Sequence, residues 1–375
     1  MTIPLSSPDI SEEDIEAVVA VLRTRHLSLG PKLPEFEQAM ASYVGTKHAV
    51  AVNSGTSALH LCVRALGIKE GDEVITTPFS FVASSNCVLF ERATVRFVDV
   101  LPDTLCIDPA QVEAAITPKT KAILAVDVFG YLADWDALRA IAKRHNLALI
   151  EDSCEALGSR RGKAMAGTFA DCGTFAFYPN KQMTTGEGGI IVTDRDDIAK
   201  SARSLRNQGR NADAKWLEHT ALGYNYRLSD INCALGISQL KRLPEFIAKR
   251  ARVASWYAEQ LAPLRDHLLP PAPQKGVDIS WFVYVVRLTE RYAAQDCRAI
   301  IQYLRNAGVE CSNYFPCIHL QKPYRDLYGF KGGEFPVAES ASDRTIALPF
   351  SSLITENDVS HVANILGKYF SEMSK

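Results

Sequence analysis

"LALIEDSCEALGS" (147–159) is the stretch whose reading decides the fold. Four apolar residues lead into two acids, Glu151 and Asp152, and small residues follow. The run predicts a short buried strand, then a helix over Ser153–Leu157 for which Asp152 reads as the N-cap. Similar runs lie on either side: "HAVAVN" (48–53), "DEVITT" (72–77), "TVRFVDV" (94–100) and "KAILAVDVFG" (121–130). Helical patterns separate several of them, among them Ser57–Leu66 and Trp135–His145. Ser11 reads as the N-cap of a further helix running to Leu22. Strands alternating with helices predict an α/β fold with a largely parallel sheet. In such a sheet, ligands bind beyond the carboxyl ends of the strands, where Asp152 falls.

After Gly223 the pattern changes. Residues 229–264 read as a long helical region interrupted at Pro244. "PPAPQKG" (270–276) is a connection, "SWFVYVVRL" (280–288) a strand and "CRAIIQYLRNAG" (297–308) a helix stopped by glycine. The expected organisation is a large α/β domain over 1–244 and a smaller C-terminal α+β domain over 245–375.

Bulk properties exclude several function classes. A formal net charge of −2 over 375 residues gives no electrostatic case for nucleic acid or an anionic membrane as partner. Nine scattered cysteines, an odd number with no CxxC, argue against a disulfide framework or a zinc site and fit a reducing cytoplasm. No metal is expected. The N-terminal segment lacks the basic start and apolar core of a secretion signal, and no apolar run reaches membrane-spanning length.

Four stretches carry candidate chemistry. In "AVNSGTSALHL" (51–61) a strand ends in a Ser-Gly-Thr-Ser turn that opens a helix. The free N–H groups there suit a phosphate, although the same residues also read as a plain N-cap. In "TTPFSFVASSN" (76–86), Phe79 and Phe81 share a side if the chain stays extended, either as core or as cover for a planar heterocycle. Asp152, desolvated at a strand end, needs a cation or donor, and a protonated ring nitrogen is one. Lys181, in "TFAFYPNKQMTTGEGG" (174–189), follows another apolar run; burial turns a lysine into a nucleophile able to form a Schiff base. Phosphate anchor, ring cover, ring-nitrogen partner and lysine are together what pyridoxal phosphate (PLP) requires.

With those residues in view, the chain resembles the DegT/DnrJ/EryC1/StrS family of sugar aminotransferases, fold-type I PLP enzymes that act on nucleotide-linked keto-sugars. The resemblance covers nearly the whole chain. It includes "PFSFVASSN" (78–86), "VDVFGYLADWDAL" (126–138), "IEDSCEALGS" (150–159), "LGYNYRLSDINCALG" (222–236) and "YFPCIHLQKPY" (314–324). It implies that Lys181 holds the cofactor, Asp152 pairs with the pyridine nitrogen and Phe81 stacks on the ring. Gly55, Thr56 and Ser57 would bind the phosphate. Glu155, one helical turn beyond Asp152, would approach the ring hydroxyl or stay an exposed helix residue. Asn225 and Arg227 would reach the neighbouring subunit's site, making a homodimer with shared active sites. Tyr314, His319 and Glu187 would meet the substrate. Many members carry serine where this chain has Ala176, so the phosphate must find a donor elsewhere, such as Asn180 or the partner's Asn225 and Arg227. Lys181 separates the chain from related dehydratases, which carry histidine there, and no cysteine spacing fits an iron–sulfur cluster.

The resemblance also implies the chemistry. L-Glutamate gives its amino group to the cofactor, which cycles through pyridoxamine phosphate (PMP), and a keto-sugar nucleotide receives it. "TTGEGG" (184–189) resembles members that aminate C4, whereas "GDGG" marks C3-aminating ones. The expected acceptor is a 4-keto-6-deoxy sugar nucleotide, with a 3-keto-sugar or keto-cyclitol as the alternative. A catalytically inactive PLP-binding regulatory or scaffold protein is the alternative of another class.

Overall fold

The computed structural model describes residues 2–211, 215 and 218–373; the outer ends of both expected domains, 1 and 374–375, lie outside them. In chain order the helices are α1 (Glu12–Leu22), α2 (Lys32–Val44), α3 (Gly55–Ala65), α4 (Ala83–Leu89), α5 (Pro109–Ala114), α6 (Trp135–His145), α7 (Asp196–Arg206), α8 (Asp230–Gln260), α9 (Ala294–Asn306), α10 (Lys322–Tyr328), α11 (Pro336–Arg344) and α12 (Glu356–Met373). The strands are β1 (His48–Val52), β2 (Glu73–Thr76), β3 (Thr94–Phe97), β4 (Thr120–Val126), β5 (Ala148–Asp152), β6 (Arg160–Arg161), β7 (Ala164–Met165), β8 (Cys172–Ala176), β9 (Gly189–Thr193), β10 (Leu268–Leu269), β11 (Val277–Asp278), β12 (Tyr284–Leu288) and β13 (Thr345–Leu348).

Seven strands form the central sheet in the order β1-β9-β8-β5-β4-β2-β3. Every neighbouring pair is parallel except the two that involve β9. Both faces are covered, so Ile123, Leu124, Ile150 and Ile190 are fully buried, as continuous apolar strands require. The fold class is therefore α/β with a mostly parallel sheet, as the alternation of runs predicts. A second, three-stranded sheet, β10-β12-β13, carries a separate core with α9 and α12.

Two strands and one helix join the two cores; in β13, Ala347 enters the main core while Ile346 and Leu348 enter the second. Alternate residues of β12 face opposite ways: Val285, like Val283 just before the strand, enters the main core, while Tyr284, Val286 and Leu288 enter the second. Helix α8 gives Leu243 and Phe246 to the first core and Val253 and Tyr257 to the second. The expected break at Pro244 does not occur, because α8 runs unbroken through it for 31 residues. Packing of α8 on α1, α2 and α12 overrides the local cost of the proline. The 244/245 division thus falls inside a helix.

Two further expectations are corrected. No helix follows Asp152, because residues 153–158 form successive turns, with Ala156 N–H donating to Ser153 and Ser159 N–H to Ala156. The Ser153 hydroxyl is drawn inward to Asp127 and Glu151, which pulls the backbone off a helical path. The strand read through 130 ends at Val126.

Candidate active site

The carboxyl ends of β2, β4, β5 and β8 and the N-terminus of α3 enclose a cavity of about 540 Å3. Its lining includes Gly55, Thr56, Phe81, Asp152, Glu155, Lys181, Glu187 and Tyr314. Residues from six separate stretches of chain thus converge on one space.

Asp152 ends β5 and is 4 % exposed. One carboxylate oxygen accepts from the Ser84 hydroxyl at 2.9 Å and the other from the Cys154 N–H at 3.2 Å. The Ser84 hydroxyl lies 2.7 Å from that of Ser80. These contacts fix the carboxylate with its charge facing a largely apolar hollow, where a protonated nitrogen is the natural complement.

Lys181 stands across the cavity, one turn beyond β8. Its Nζ lies 3.7 Å from Glu155 Oε1 and 3.9 Å from the centre of the Phe282 ring. Glu155 is buried and accepts the Phe129 N–H at 2.9 Å. Burial holds its carboxyl above the ordinary range, with the Lys181 charge acting against that shift. The alternative of an exposed helix residue is thus excluded.

Ser54 caps α3 by accepting the Ser57 N–H at 3.1 Å. That leaves the first N–H groups of the helix, at Gly55 and Thr56, turned to the cavity without an intrahelical partner. A Cβ on Gly55 would meet the Ala176 Cβ at 2.7 Å and Cys154 Sγ at 3.2 Å. Only glycine lets the turn sit this low over the end of β8. Ser57 does not line the cavity: its hydroxyl donates to Asn53 at 2.7 Å and its N–H is already capped. Ala176 and Asn180 do line it, and Asn180 Oδ1 is buried with no partner among the described residues.

The two phenylalanines diverge instead of sharing a side. Phe79 is fully buried against Phe129 and Phe315, whereas Phe81 is 61 % exposed at the cavity. The chain leaves the extended form after Thr76, with the Phe79 N–H turned onto the Thr77 hydroxyl.

In the glycine-rich turn, Gly186 has φ +81°, and the Phe177 N–H donates to Gly188. Thr184 and Thr185 are buried and spend their hydroxyls inside the loop, on Phe177 and Glu187 carbonyls. Only Glu187 and Gly188 of this turn reach the cavity.

Three expected residues stand apart. Asn225 and Arg227 lie on a segment threaded between the ends of β1 and α7, outside the cavity of their own chain. Tyr224 and Tyr226, stacked at 4.9 Å, pin that segment by bonding to Glu91 and His60, and Asn225 remains exposed. His319 is fully buried, 3.1 Å from Glu339, and does not line the cavity. Sequence reasoning missed Ser84, Cys154 and Phe282. Ser84 sits in the quoted 76–86 stretch, so its position was visible though its role was not. Phe282 carried no local signal, since it reads as an ordinary strand residue.

All nine cysteines are free. No helix among the described residues is long and apolar enough to cross a membrane.

Residues 8–367 match the model of the DegT/DnrJ/EryC1/StrS aminotransferase family. The chain is 38% identical over 362 residues to a GDP-perosamine synthase of Caulobacter vibrioides, covering 96% of each. Its fold is similar to that of PseC from Helicobacter pylori, an aminotransferase involved in the biosynthesis of pseudoaminic acid, with TM-score 0.93 and 30% identity over 99% of this chain and 100% of that one. It is equally similar to a putative sugar aminotransferase from Streptococcus pneumoniae in its PMP form, with TM-score 0.94 and 28% identity over the whole of both chains. The same protein is known in a PLP form. The residues present fit such a cofactor: a buried fixed carboxylate, a lysine across from it, and a glycine cradle that a Cβ would fill. The cavity, the fold and the family match agree, and the chain is an aminotransferase belonging to the DegT/DnrJ/EryC1/StrS family.

Proposed function

We propose that this chain moves the amino group of L-glutamate, by way of PLP, onto the 4-keto carbon of a nucleotide-linked 4-keto-6-deoxy sugar. The products are 2-oxoglutarate and the 4-amino sugar nucleotide. The observation that carries the reading is the placement of Lys181 and Asp152 on the walls of one strand-end cavity. The similarity to a GDP-perosamine synthase and the TTGEGG turn support the sugar and the carbon.

When bound, PLP supplies an electron sink that acidifies the Cα proton of the amino acid. Each side chain then has a task. Asp152, held by Ser84 and the Cys154 N–H, accepts the ring N–H and keeps it protonated. Lys181 Nζ anchors the cofactor covalently, and once displaced it takes the Cα proton of glutamate. Glu155 faces that amine at 3.7 Å and holds it in place. Gly55 and Thr56 offer N–H groups and the positive end of α3 to the phosphate, with Asn180 supplying a donor that Ala176 lacks. Phe81 covers the ring, while Tyr314 and Glu187 meet the sugar nucleotide.

Two copies share their sites in this reading, with Asn225 and Arg227 serving the partner's cavity. Their position outside their own cavity supports it. The test uses purified protein incubated with PLP, glutamate and a panel of UDP-, GDP- and dTDP-linked 4-keto and 3-keto sugars. Absorbance near the visible edge should bleach with glutamate and return with a 4-keto sugar. Return with 3-keto sugars only would move the amination site, and no response to glutamate would remove the enzyme reading.

A further inference from the structure

Arg250 lies on α8, at the point where that helix passes from one core to the other. It is 2 % exposed. No carboxylate among the described residues forms an ion pair with it, and its Nε has no hydrogen-bond partner. Its two terminal nitrogens each donate to a backbone carbonyl at 3.0 Å: one to Lys181, the other to Phe282. These two residues are the ones whose side chains meet in the cavity, with Lys181 Nζ over the Phe282 ring. The Lys181 N–H is tied separately to Tyr178. Next to it, Gln182 donates to the carbonyls of Glu155 and Ser280 at 2.7 and 3.2 Å. A guanidinium buried without an acid carries a desolvation cost that a neutral side chain would avoid, and burial pushes its pKa down to about 10.

We propose that Arg250 is a positioning residue for the reaction at Lys181: its planar fork fixes the Lys181 and Phe282 carbonyls together, and so sets where Nζ stands. The proposal rests on the reading of Lys181 as the cofactor-bearing residue. The fork couples the second core to the lysine, because α8 runs from one core to the other and Phe282 belongs to the main core. The other ionisable groups around Nζ are Glu155, Asp152, Cys154, Tyr178, Tyr314 and Glu187, and substitution of Arg250 leaves all six in place.

The experiment compares wild type, Arg250→Lys and Arg250→Met as PLP-loaded proteins. Three quantities are read: the pH midpoint of the Lys181-dependent absorption band, the rate at which L-glutamate bleaches it, and the glutamate concentration for half-maximal rate. Lysine keeps the charge but cannot span both carbonyls in a fixed plane. Arg250→Lys is therefore expected to slow bleaching about 10-fold at unchanged half-saturation and near-unchanged midpoint. Arg250→Met should slow it further, again at unchanged half-saturation, because neither carbonyl then has its donor. Folded variants with wild-type bleaching rate would overturn the proposal, and a purely structural role would lower thermal stability alone. If Arg250→Met fails to fold, the Arg250→Lys rate decides. A wild-type protein with no band lost in Lys181→Ala overturns the underlying functional reading; a wild-type band with unaltered Arg250 variants overturns this proposal alone.

Discussion

The strand ends that carry Asp152 and Lys181 and the segment that carries Asn225 and Arg227 are built in opposite ways. At the strand ends, Asp152, Glu155 and Lys181 line one hollow of their own chain and are held there by their neighbours. On 224–227, the tyrosines are the anchored residues, and Asn225 is left exposed beside them. One region faces a cavity of its own chain; the other holds Arg227 on the Asn207 side-chain oxygen, at 3.1 Å, outside that cavity. A residue held firmly and aimed away from its own cavity is what a shared site requires, so the two regions predict different behaviour under mutation.

The largest effect belongs to the first region. Lys181→Ala removes both the anchor and the proton carrier, so glutamate-dependent turnover should fall by at least about 10^4-fold. Steady-state assay and loss of the absorption band measure it, and retained turnover would remove Lys181 from the mechanism. Arg227→Ala is expected to cost less, about 10- to 100-fold, in phosphate or substrate affinity. Mixing the two variants, at substrate and cofactor concentrations that leave Arg227→Ala nearly idle, sharpens the comparison. In a heterodimer with shared sites, one cavity combines an intact Lys181 with an intact Arg227 from the other chain. A 1:1 mixture allowed to exchange subunits should recover about a quarter of wild-type activity. Recovery no greater than the sum of the separate proteins would break the contrast between the regions and return Arg227 to a role within its own chain.

The same contrast governs what was legible in the sequence. Asp152, Lys181 and Gly55 follow hydrophobic runs, and a run that must be buried carries its terminal residue to the sheet edge. Pattern alone therefore brings these residues to one side of the fold. Residues placed by turns fare worse. The helix expected to carry Glu155 does not form, because the Ser153 hydroxyl is taken by Glu151 on β5 and by Asp127 just past the end of β4. Phe79 and Phe81 were paired by period two, and a single turn at Thr77 separates them. Phe282 and Arg250 reach Lys181 across the seam between the cores, at sequence separations that no local pattern encodes. Pro244 misled for the opposite reason, since packing along α8 outweighs one unfavourable residue.

A smaller effect tests the cradle. Gly55→Ala would place a Cβ 2.7 Å from the Ala176 Cβ, closer than two carbons can approach. The α3 N-terminus must lift, and PLP affinity should fall about 10-fold, measured by fluorescence titration of cofactor-free protein. Replacing Ser57, whose groups are already spent on Ser54 and Asn53, should leave PLP affinity within about twofold. Equal losses at both positions would mean that the whole turn, and not its first two N–H groups, holds the phosphate.

The smallest effect is a pH dependence of stability in the cofactor-free protein. Burial raises the Glu155 carboxyl above its ordinary value of 4.5, against the opposing pull of Lys181. For a group whose folded pKa is raised, the stability it contributes is fully present below the unfolded value and lost as pH rises through the folded one. Wild type should therefore lose stability on this account as pH climbs from about 5. Glu155→Gln carries no titrating group, and its amide oxygen can still accept the Phe129 N–H. The Tm of the variant relative to wild type should thus improve between pH 5 and pH 8, by about 2 °C. A change of the opposite sign would mean that the pairing with Lys181 at 3.7 Å outweighs desolvation. Glu155 would then be a held counter-charge to the amine.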